Sequence, residues 1–158
     1  MTLSITIHPF RDSETESLVS LFTESVHTLA TTEYTAEQRA AWAPTDPDMD
    51  GWRQRFQECQ TLVAEEEGIP LGFISFEPDG HIDLLYTAPD AARQGVASAL
   101  LGEAVRQLSA SGSRTFYTEA SLIAAPFFKR HGFEVIEEQR VFRGGVGFRR
   151  YLMRKESA

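Results

Sequence analysis

The sequence contains a single cysteine, Cys59, among its 158 residues. One cysteine can form neither an internal disulfide nor a cysteine-based zinc site. No apolar run approaches the ~18 residues that a membrane helix needs. The first ten residues, MTLSITIHPF, also lack the basic start and long apolar stretch of a signal peptide. These absences predict a soluble, cytoplasmic protein without membrane contacts.

Basic residues are fewer than acidic ones. Fifteen lysines and arginines stand against 23 aspartates and glutamates, which gives a net charge of -8 and a pI near 5.0. Non-specific nucleic-acid binding relies on an excess of cationic side chains, so this balance argues against a nucleic-acid partner. A small anionic ligand is not excluded, because a local group of amides or arginines can override the global charge. The length predicts one domain over residues 1–158, and the 42% hydrophobic content is enough to give it a core.

The pattern along the chain predicts an α+β fold. Ser13 and Thr35 each stand three positions before Glu or Gln, as in a capping box, and apolar residues at helical spacing follow Ser13. The runs TLVAEE, IPLGFISFE and HIDLLYT are separated by glycine-containing turns, which favours antiparallel hairpins. A predicted helix then separates HIDLLYT from RTFYTE, so these two strands should lie parallel. A last hairpin at Gly144-Gly145 completes a mixed sheet of about seven strands with helices on its faces.

The stretch LYTAPDAARQGVASALL, residues 85–101, joins a strand to a helix through a turn, and its only glycine, Gly95, stands at the join. The free amides and the dipole of a helix N-terminus form a ready anion site, and glycine lets the backbone approach a ligand. Ordinary helix capping would explain one glycine as well. The stretch lacks the Gly-Lys-Ser/Thr of a Walker loop and the three glycines of a dinucleotide fingerprint.

This stretch resembles the acyl-CoA pyrophosphate signature of the GNAT superfamily of N-acetyltransferases, commonly written Gln/Arg-x-x-Gly-x-Gly/Ala. Gly95 and Ala97 match, whereas Ala92 stands where Gln or Arg is usual. A second stretch, SLIAAPFFKRHGF at residues 121–133, resembles the late helix of the family, usually Asn-x-x-Ala-x-x-Phe-Tyr-x-x-x-Gly-Phe. The two ordered matches cover roughly the last half of the chain. The resemblance implies a mostly antiparallel sheet with helices on both faces and a splayed central parallel pair.

The resemblance further implies that acetyl-CoA is a co-substrate and that no metal is needed. Phe128 stands where the family often has the tyrosine that protonates the departing thiolate, so Phe128 would pack against the pantetheine arm instead. Ser121 replaces the usual asparagine; it would cap the late helix or reach the cofactor with its hydroxyl. The remaining residues expected to contact acetyl-CoA are Leu85, Tyr86, Thr87, Arg93, Gln94, Gly95, Val96, Ala97 and Ser98.

Three residues are candidates for the chemistry. By the alternation of a strand, His81 and Asp83 should share one face with Leu85 and Thr87. Where His81 stands, histone-type members of the family carry a glutamate base. A histidine pKa near ~6.5 would suit removal of a proton from an amine, with Asp83 orienting His81 or meeting the charge of the amine. Glu119 is a further carboxylate near the presumed cleft; a polar hairpin and an exposed strand end would explain the same residues without function.

The implied activity is direct transfer of an acetyl group to a primary amine of a small molecule or peptide. Tyr34, Gln38 and Trp42 are candidate walls for this acceptor, although core packing accounts equally well for the tryptophan. The alternative is a non-catalytic domain that binds or senses acyl-CoA, which Phe128 in place of tyrosine favours. An exposed sheet edge could support a homodimer, which the sequence itself does not show.

Overall fold

The computed structural model describes residues 4–157, which fold around one seven-stranded sheet. The strand order is β1-β2-β3-β4-β5-β7-β6, and every neighbouring pair is antiparallel except β4 and β5. The predicted α+β architecture is therefore confirmed. The elements are β1 (Thr6–Pro9), α1 (Thr15–Leu29), α2 (Ala36–Trp42), α3 (Met49–Glu58), β2 (Gln60–Glu66), β3 (Ile69–Phe76), β4 (His81–Thr87), α4 (Val96–Ala110), β5 (Thr115–Ser121), α5 (Ala125–Arg130), β6 (Glu134–Arg143) and β7 (Val146–Glu156).

Helices cover both faces of the sheet. Phe73 and Ile74, neighbours on β3, show the division because successive strand residues point to opposite faces. Ile74 packs in the cluster that contains Leu100 of α4, and Phe73 packs in the cluster that contains Phe22 of α1 and Phe56 of α3. Within residues 4–157, none of the helices combines the length and the apolar character that crossing a bilayer requires.

The ends of two helices test the capping predictions. The box at Thr35 is confirmed, since its hydroxyl oxygen accepts from the Gln38 amide at 3.1 Å and Gln38 Oε1 accepts from the Thr35 amide at 2.8 Å. The box predicted at Ser13 is wrong. A 3₁₀ turn over Asp12–Glu14 precedes α1, and the reciprocal contact is made by Glu14, which accepts from the Arg11 amide at 2.8 Å.

The predicted cap at Ser121 is also displaced. Ser121 pairs with Arg150 of β7 and is therefore still part of β5, and α5 begins only at Ala125. Its hydroxyl oxygen accepts from the Ala124 amide at 3.1 Å, in the turn that leads into the helix. Ser121 thus braces this turn and does not cap the helix itself.

The central parallel pair is splayed, as predicted. β4 and β5 pair only at His81 with Tyr117 and at Ile82 with Thr118. Beyond these pairs β5 stays with β7 as far as Ser121, while β4 stays with β3 as far as Thr87. In the described part of the chain, the edge of β4 after Ile82 therefore has no strand partner and faces a wedge-shaped opening.

A β-bulge at Asp83 interrupts the alternation along β4. The register against β3 shifts between Leu84 and Ile82, which leaves Asp83 as an extra residue. Ile82 and Leu85 consequently pack in the cluster with α4, whereas Leu84 packs toward α1 and α3. The predicted sharing of one face by all the odd-numbered residues of this strand is wrong for this reason.

Candidate active site

Two cavities meet where β4 and β5 separate. The large cavity, of about 760 Å³, lies between the end of α1, the turn before α4 and the start of α5. Its volume is in the range of pockets that hold small ligands and cofactors. The small cavity, of about 170 Å³, lies on the other side of the opening and contains Glu119 and Asp83. Residues that line both cavities mark their junction: Trp42, Leu85, Tyr86, Ser121 and Ala124.

The N-terminus of α4 borders the large cavity without a side-chain cap. Gly95 is the N-cap residue, and its φ of +87° is one that residues with a Cβ rarely adopt. The amides of the next three residues have no acceptor within the helix, because the first turn never supplies one. Gly95, Ala97 and Ser98 all line the large cavity. This geometry suits an anion, as the sequence predicted.

The side chains next to Gly95 offer fewer contacts to an anion than the backbone amides of the same residues do. Gln94 donates from its side chain to the Asp90 carbonyl at 2.8 Å and so braces the turn. Val96 is buried under the sheet and offers only its backbone. The Ser98 hydroxyl lies 3.0 Å from His131 Nε2 at the end of α5. Arg93 does line the large cavity, and its φ of +62° turns the chain toward the helix.

On β4, the three residues predicted to contact the cofactor all line the large cavity: Leu85, Tyr86 and Thr87. Their strand is paired with β3 on one side, and its other edge borders the opening. The Tyr86 side chain packs edge-on against Phe22, and burial raises its pKa to about 12. Tyr86 therefore stays protonated and contributes packing at this position.

Two adjacent phenylalanines on α5 line different cavities. Phe128 is only 2% exposed, packs on Phe133 with ring centroids 5.1 Å apart, and forms part of the wall of the small cavity. Phe127, which matches the phenylalanine of the late-helix motif, lines the large cavity and is not among the expected cofactor contacts. The position of Phe127 in the late-helix motif was the sequence signal for this residue.

His81 lies between two carboxylates. Its Nε2 contacts Glu119 Oε1 at 2.8 Å, and its Nδ1 contacts Glu77 Oε1 at 2.6 Å. The hydrogen bond to Glu119 is the largest cause of a pKa raised to about 9; Glu77 adds to it, while burial opposes it. The expected histidine pKa near neutrality is therefore wrong. At neutral pH His81 is an imidazolium that donates from both nitrogens and has no lone pair left to accept a proton.

Glu119 presents its carboxylate to the small cavity, whereas His81 lines neither cavity. The side chain of Glu119 is 25% exposed. One oxygen accepts from His81, and within residues 4–157 the other has no hydrogen-bond partner. Tyr117 stacks on His81 with centroids 4.8 Å apart and donates to Asp79 at 2.5 Å, which fixes the imidazole from the opposite side.

Asp83 pairs with Arg55 of α3. Its two carboxylate oxygens accept from Arg55 Nε and Nη2 at 3.0 and 3.1 Å. The prediction that Asp83 orients His81 is wrong, because the bulge turns the carboxylate toward α3 and Arg55 occupies both oxygens. Cys59 lies nearby, and burial together with the Asp83 charge raises the pKa of its thiol to about 11. No local pattern indicates Arg55, which lies 28 positions away from its partner.

Two of the three residues predicted to contact the acceptor line the small cavity. The Tyr34 and Trp42 rings line it with centroids 5.2 Å apart. The Tyr34 hydroxyl accepts from the Leu122 amide at 2.9 Å and donates to the Arg149 carbonyl at 3.1 Å. Gln38 lines neither cavity; its amide donates to the Gly147 carbonyl at 2.9 Å. The expected contact of Gln38 with an acceptor is therefore wrong, because capping α2 and holding β7 use its side chain.

The fold and both motifs can be compared with known proteins. The family described as "Acetyltransferase (GNAT) domain" matches residues 30–156. The chain belongs to the GNAT acetyltransferase family. It is 33% identical over 151 residues to the uncharacterized N-acetyltransferase YafP of Escherichia coli K12, covering 96% of this chain and 95% of that protein. It is 26% identical over 142 residues to the peptidyl-lysine N-acetyltransferase YjaB of Salmonella typhimurium LT2, covering 88% and 90%.

Solved structures of this family have the same fold. A GCN5-related N-acetyltransferase from Rhodopseudomonas palustris superposes with a TM-score of 0.94 at 29% identity, covering 99% of this chain and 98% of that one. The PaiA N-acetyltransferase of Thermoplasma acidophilum, solved with coenzyme A, gives a TM-score of 0.81 at 18% identity, covering 98% and 99%. The predicted family, fold and enzyme class are confirmed: this is a GNAT-type N-acetyltransferase.

Proposed function

We propose that this GNAT protein transfers an acetyl group directly from acetyl-CoA to a primary amine of a small molecule or a peptide. One observation carries the proposal: a cavity bordered by an uncapped helix N-terminus meets a cavity that contains a carboxylate, at the point where β4 and β5 separate. The first cavity suits a phosphate-bearing donor, and the second suits an amine.

The residues of the large cavity fit acetyl-CoA. The free amides after Gly95 suit its pyrophosphate, and the unpaired edge of β4 suits the amides of its pantetheine arm. When bound, acetyl-CoA supplies the acetyl thioester. The coenzyme A in the PaiA structure agrees with this assignment at the level of the shared fold.

We assign the general base to Glu119. An ammonium group must lose a proton before its nitrogen can attack a carbonyl carbon. The free oxygen of Glu119 faces the small cavity and would accept that proton directly or through one water molecule. His81 is then a positioning residue: its protonated ring donates to the other oxygen of Glu119 and holds the carboxylate in place. Asp83 is already paired with Arg55 and takes no part in this step.

Ser121 is the residue we assign to the departing sulfur. It lines both cavities, and its hydroxyl oxygen accepts from the Ala124 amide, so its hydroxyl hydrogen remains available to donate. A serine hydroxyl is too weak an acid to give up its proton fully, so Ser121 would stabilise the thiolate by a hydrogen bond until solvent protonates it. This assignment fills the role that Phe128 cannot perform.

The small cavity limits the acceptor. A volume of about 170 Å³ admits one narrow amine-bearing chain, while the remainder of a larger acceptor stays outside. Arg55, Arg143, Arg149 and Arg150 also line this cavity. Because Arg55 is paired with Asp83 and Arg149 with Glu138, the ammonium group of an acceptor would be held at Glu119 beside the aromatic rings. The aromatic residues that line the small cavity are Phe22, Tyr34, Trp42, Trp52 and Phe148. A lysine side chain of a peptide meets these limits, as does a small primary amine, and YjaB is named as a peptidyl-lysine N-acetyltransferase.

The proposal is tested by calorimetric titration with acetyl-CoA, followed by measurement of thiol release against a panel of amines and lysine peptides. Amine-dependent release of CoA, with mass-spectrometric detection of the acetylated amine, is the expected result. Acetyl-CoA binding without turnover of any amine on the panel, with the same affinity in Glu119→Gln, would instead support a non-catalytic acyl-CoA sensor. An absence of binding would contradict the assignment of the large cavity.

A further inference from the structure

A second group of titratable side chains lies at the edge of the sheet, away from the acetyl-transfer site. It contains His8 of β1, Glu14 of the 3₁₀ turn before α1, and Glu65 of β2. β1 is an edge strand and lies three strands from β4, which corresponds to about 14 Å across the sheet. The catalytic proposal uses none of these residues.

The ring of His8 is held in one tautomer. Its Nδ1 lies 2.8 Å from the Pro9 carbonyl oxygen and must therefore carry a hydrogen, since a carbonyl can only accept. In the neutral ring, Nε2 is then left with its lone pair. His8 is only 9% exposed, and its Nε2 is buried with no hydrogen-bond partner in residues 4–157. A buried lone pair without a donor is costly unless a ligand satisfies it.

Two carboxylates converge on this nitrogen. Nε2 lies 3.4 Å from Glu14 Oε2 and 3.5 Å from Glu65 Oε2. These distances are long for hydrogen bonds. They match the separation of two ligand atoms that sit about 2.1 Å from one tetrahedral metal ion, which is about 3.4 Å. All three ligand atoms lie within 4.8 Å of one another.

The surrounding contacts orient these groups. The other oxygen of Glu14 accepts from the Arg11 amide at 2.8 Å, which leaves Oε2 directed at His8. A β-bulge between Ala64 and Glu65 sets the position of Glu65 on β2. A carbonyl on the far nitrogen of a histidine is the usual outer contact of a metal-binding imidazole. The Glu14 and Glu65 side chains remain 14% and 22% exposed, so an ion and water can enter.

The other histidine–carboxylate group of the described chain provides a contrast. Glu77, His81 and Asp83 are equally close together, but both nitrogens of His81 already contact carboxylates and Asp83 is paired with Arg55. That group has no free histidine nitrogen for a metal. His8 differs because its buried nitrogen is unsatisfied.

We propose that His8, Glu14 and Glu65 bind a divalent transition-metal ion, with Zn²⁺ the best match and water as the remaining ligand. One nitrogen and two carboxylate oxygens form a ligand set that Zn²⁺ accepts. The ion would join β1 and the entry to α1 to β2, so its effect is on the stability of the N-terminal part of the fold. The family resemblance implies that catalysis needs no metal. That expectation is unaffected, because the proposed ion lies away from the acetyl-transfer site.

The test is calorimetric titration of untagged, chelator-treated protein with ZnSO₄, together with Co²⁺ absorption spectra that report the coordination geometry. We expect one equivalent of metal to bind and to raise Tm. Glu14→Gln and Glu65→Gln should each weaken binding by more than about tenfold, since loss of an outer contact alone costs that much. Glu66→Gln is the matched control: it removes the neighbouring charge, outside the site, and should leave binding unchanged.

The Gln variants keep the shape of the side chains, and circular dichroism checks that they remain folded. Equal Zn²⁺ affinity in Glu65→Gln and Glu66→Gln would overturn the proposal, and so would no binding at pH 7.5. Nitrogen NMR supplies an independent measurement, because a metal-bound Nε2 carries no proton. A His8 ring that stays doubly protonated with Zn²⁺ present would show that it is simply ion-paired with the two carboxylates.

Discussion

The imidazole of His81 donates to Glu119 across the only parallel strand pair of the described sheet, at 2.8 Å. His81 begins β4 and Glu119 lies near the end of β5, so the contact spans the two strands just where they diverge. It places a charged, partly buried donor behind a carboxylate that faces the small cavity.

Replacing Glu119 by glutamine should remove the proton acceptor without changing the shape of the small cavity. We expect kcat to fall by about 100-fold or more, which is the usual contribution of general base catalysis. The affinity for acetyl-CoA should be unchanged, because Glu119 does not line the large cavity. Steady-state thiol release and calorimetry measure the two quantities separately. Equal activity of the variant and the wild type would exclude Glu119 as the base.

His81 should affect activity through its charge. As pH rises through about 9 the imidazolium deprotonates, and the donor that positions Glu119 is partly lost. We therefore expect the ratio of wild-type to His81→Gln activity to decline over that range. Taking the ratio cancels the ionisation of the amine, which is the same for both proteins. A ratio that stays constant from pH 7 to pH 10 would show that the role of His81 is only structural.

The same histidine predicts how stability depends on pH. The pKa is about 9 in the folded protein and 6.5 as its ordinary value, so the folded state holds the extra proton between these limits. This stabilisation is complete below pH 6.5 and is lost as pH rises through 9, and its upper limit is roughly 3–4 kcal/mol. Urea unfolding at several pH values measures it. The His81→Gln variant should lack this part of the pH dependence; an identical slope would contradict the raised pKa.

Two substitutions at Gly95 separate backbone strain from phosphate repulsion. A Cβ at this position would meet no heavy atom within 4 Å, but the φ of +87° costs any other residue roughly 1–2 kcal/mol. Gly95→Ala should therefore lower Tm and bind acetyl-CoA almost normally. Gly95→Glu adds the same strain and a negative charge at the anion site. Its affinity should fall by more than about a hundredfold; calorimetric values equal to those of the alanine variant would contradict the phosphate assignment.

Ser121→Ala tests the hydrogen bond to the departing sulfur. Loss of one neutral donor should reduce kcat by about tenfold, which corresponds to about 1.4 kcal/mol. The reduction should shrink with a thioester whose thiol is a stronger acid, because such a thiolate needs less stabilisation. Single-turnover rates with both thioesters provide the comparison. A uniform reduction for the two would assign Ser121 to the turn before α5 alone.

Local signals made much of the fold and half of the site predictable. Gly95 and Gly132 mark helix ends within short motifs, and the turns between β2, β3 and β4 are encoded by residues inside them. Such features depend on neighbours in sequence, so they could be read directly. The same motifs identified the family.

The remaining features depend on distant residues. The Asp83–Arg55 pair joins β4 to α3, and the bulge at Asp83 arises from packing on both sheet faces, which no local pattern records. The raised pKa of His81 has no local sequence signal, because Glu119 approaches the ring only in the folded sheet. His8 and Glu65 are likewise brought together by strand pairing.

The hydroxyl of Tyr34 has a mechanical consequence. By accepting from the Leu122 amide and donating to the Arg149 carbonyl, it fastens the chain after β5 to β7, with the Tyr34 ring forming a wall of the small cavity. Tyr34 follows α1, which packs on β4, so the two bonds tie the α1 side of the site to the β5–β7 side. Under the proposed function, these bonds hold this aromatic wall of the acceptor cavity in place before a ligand binds.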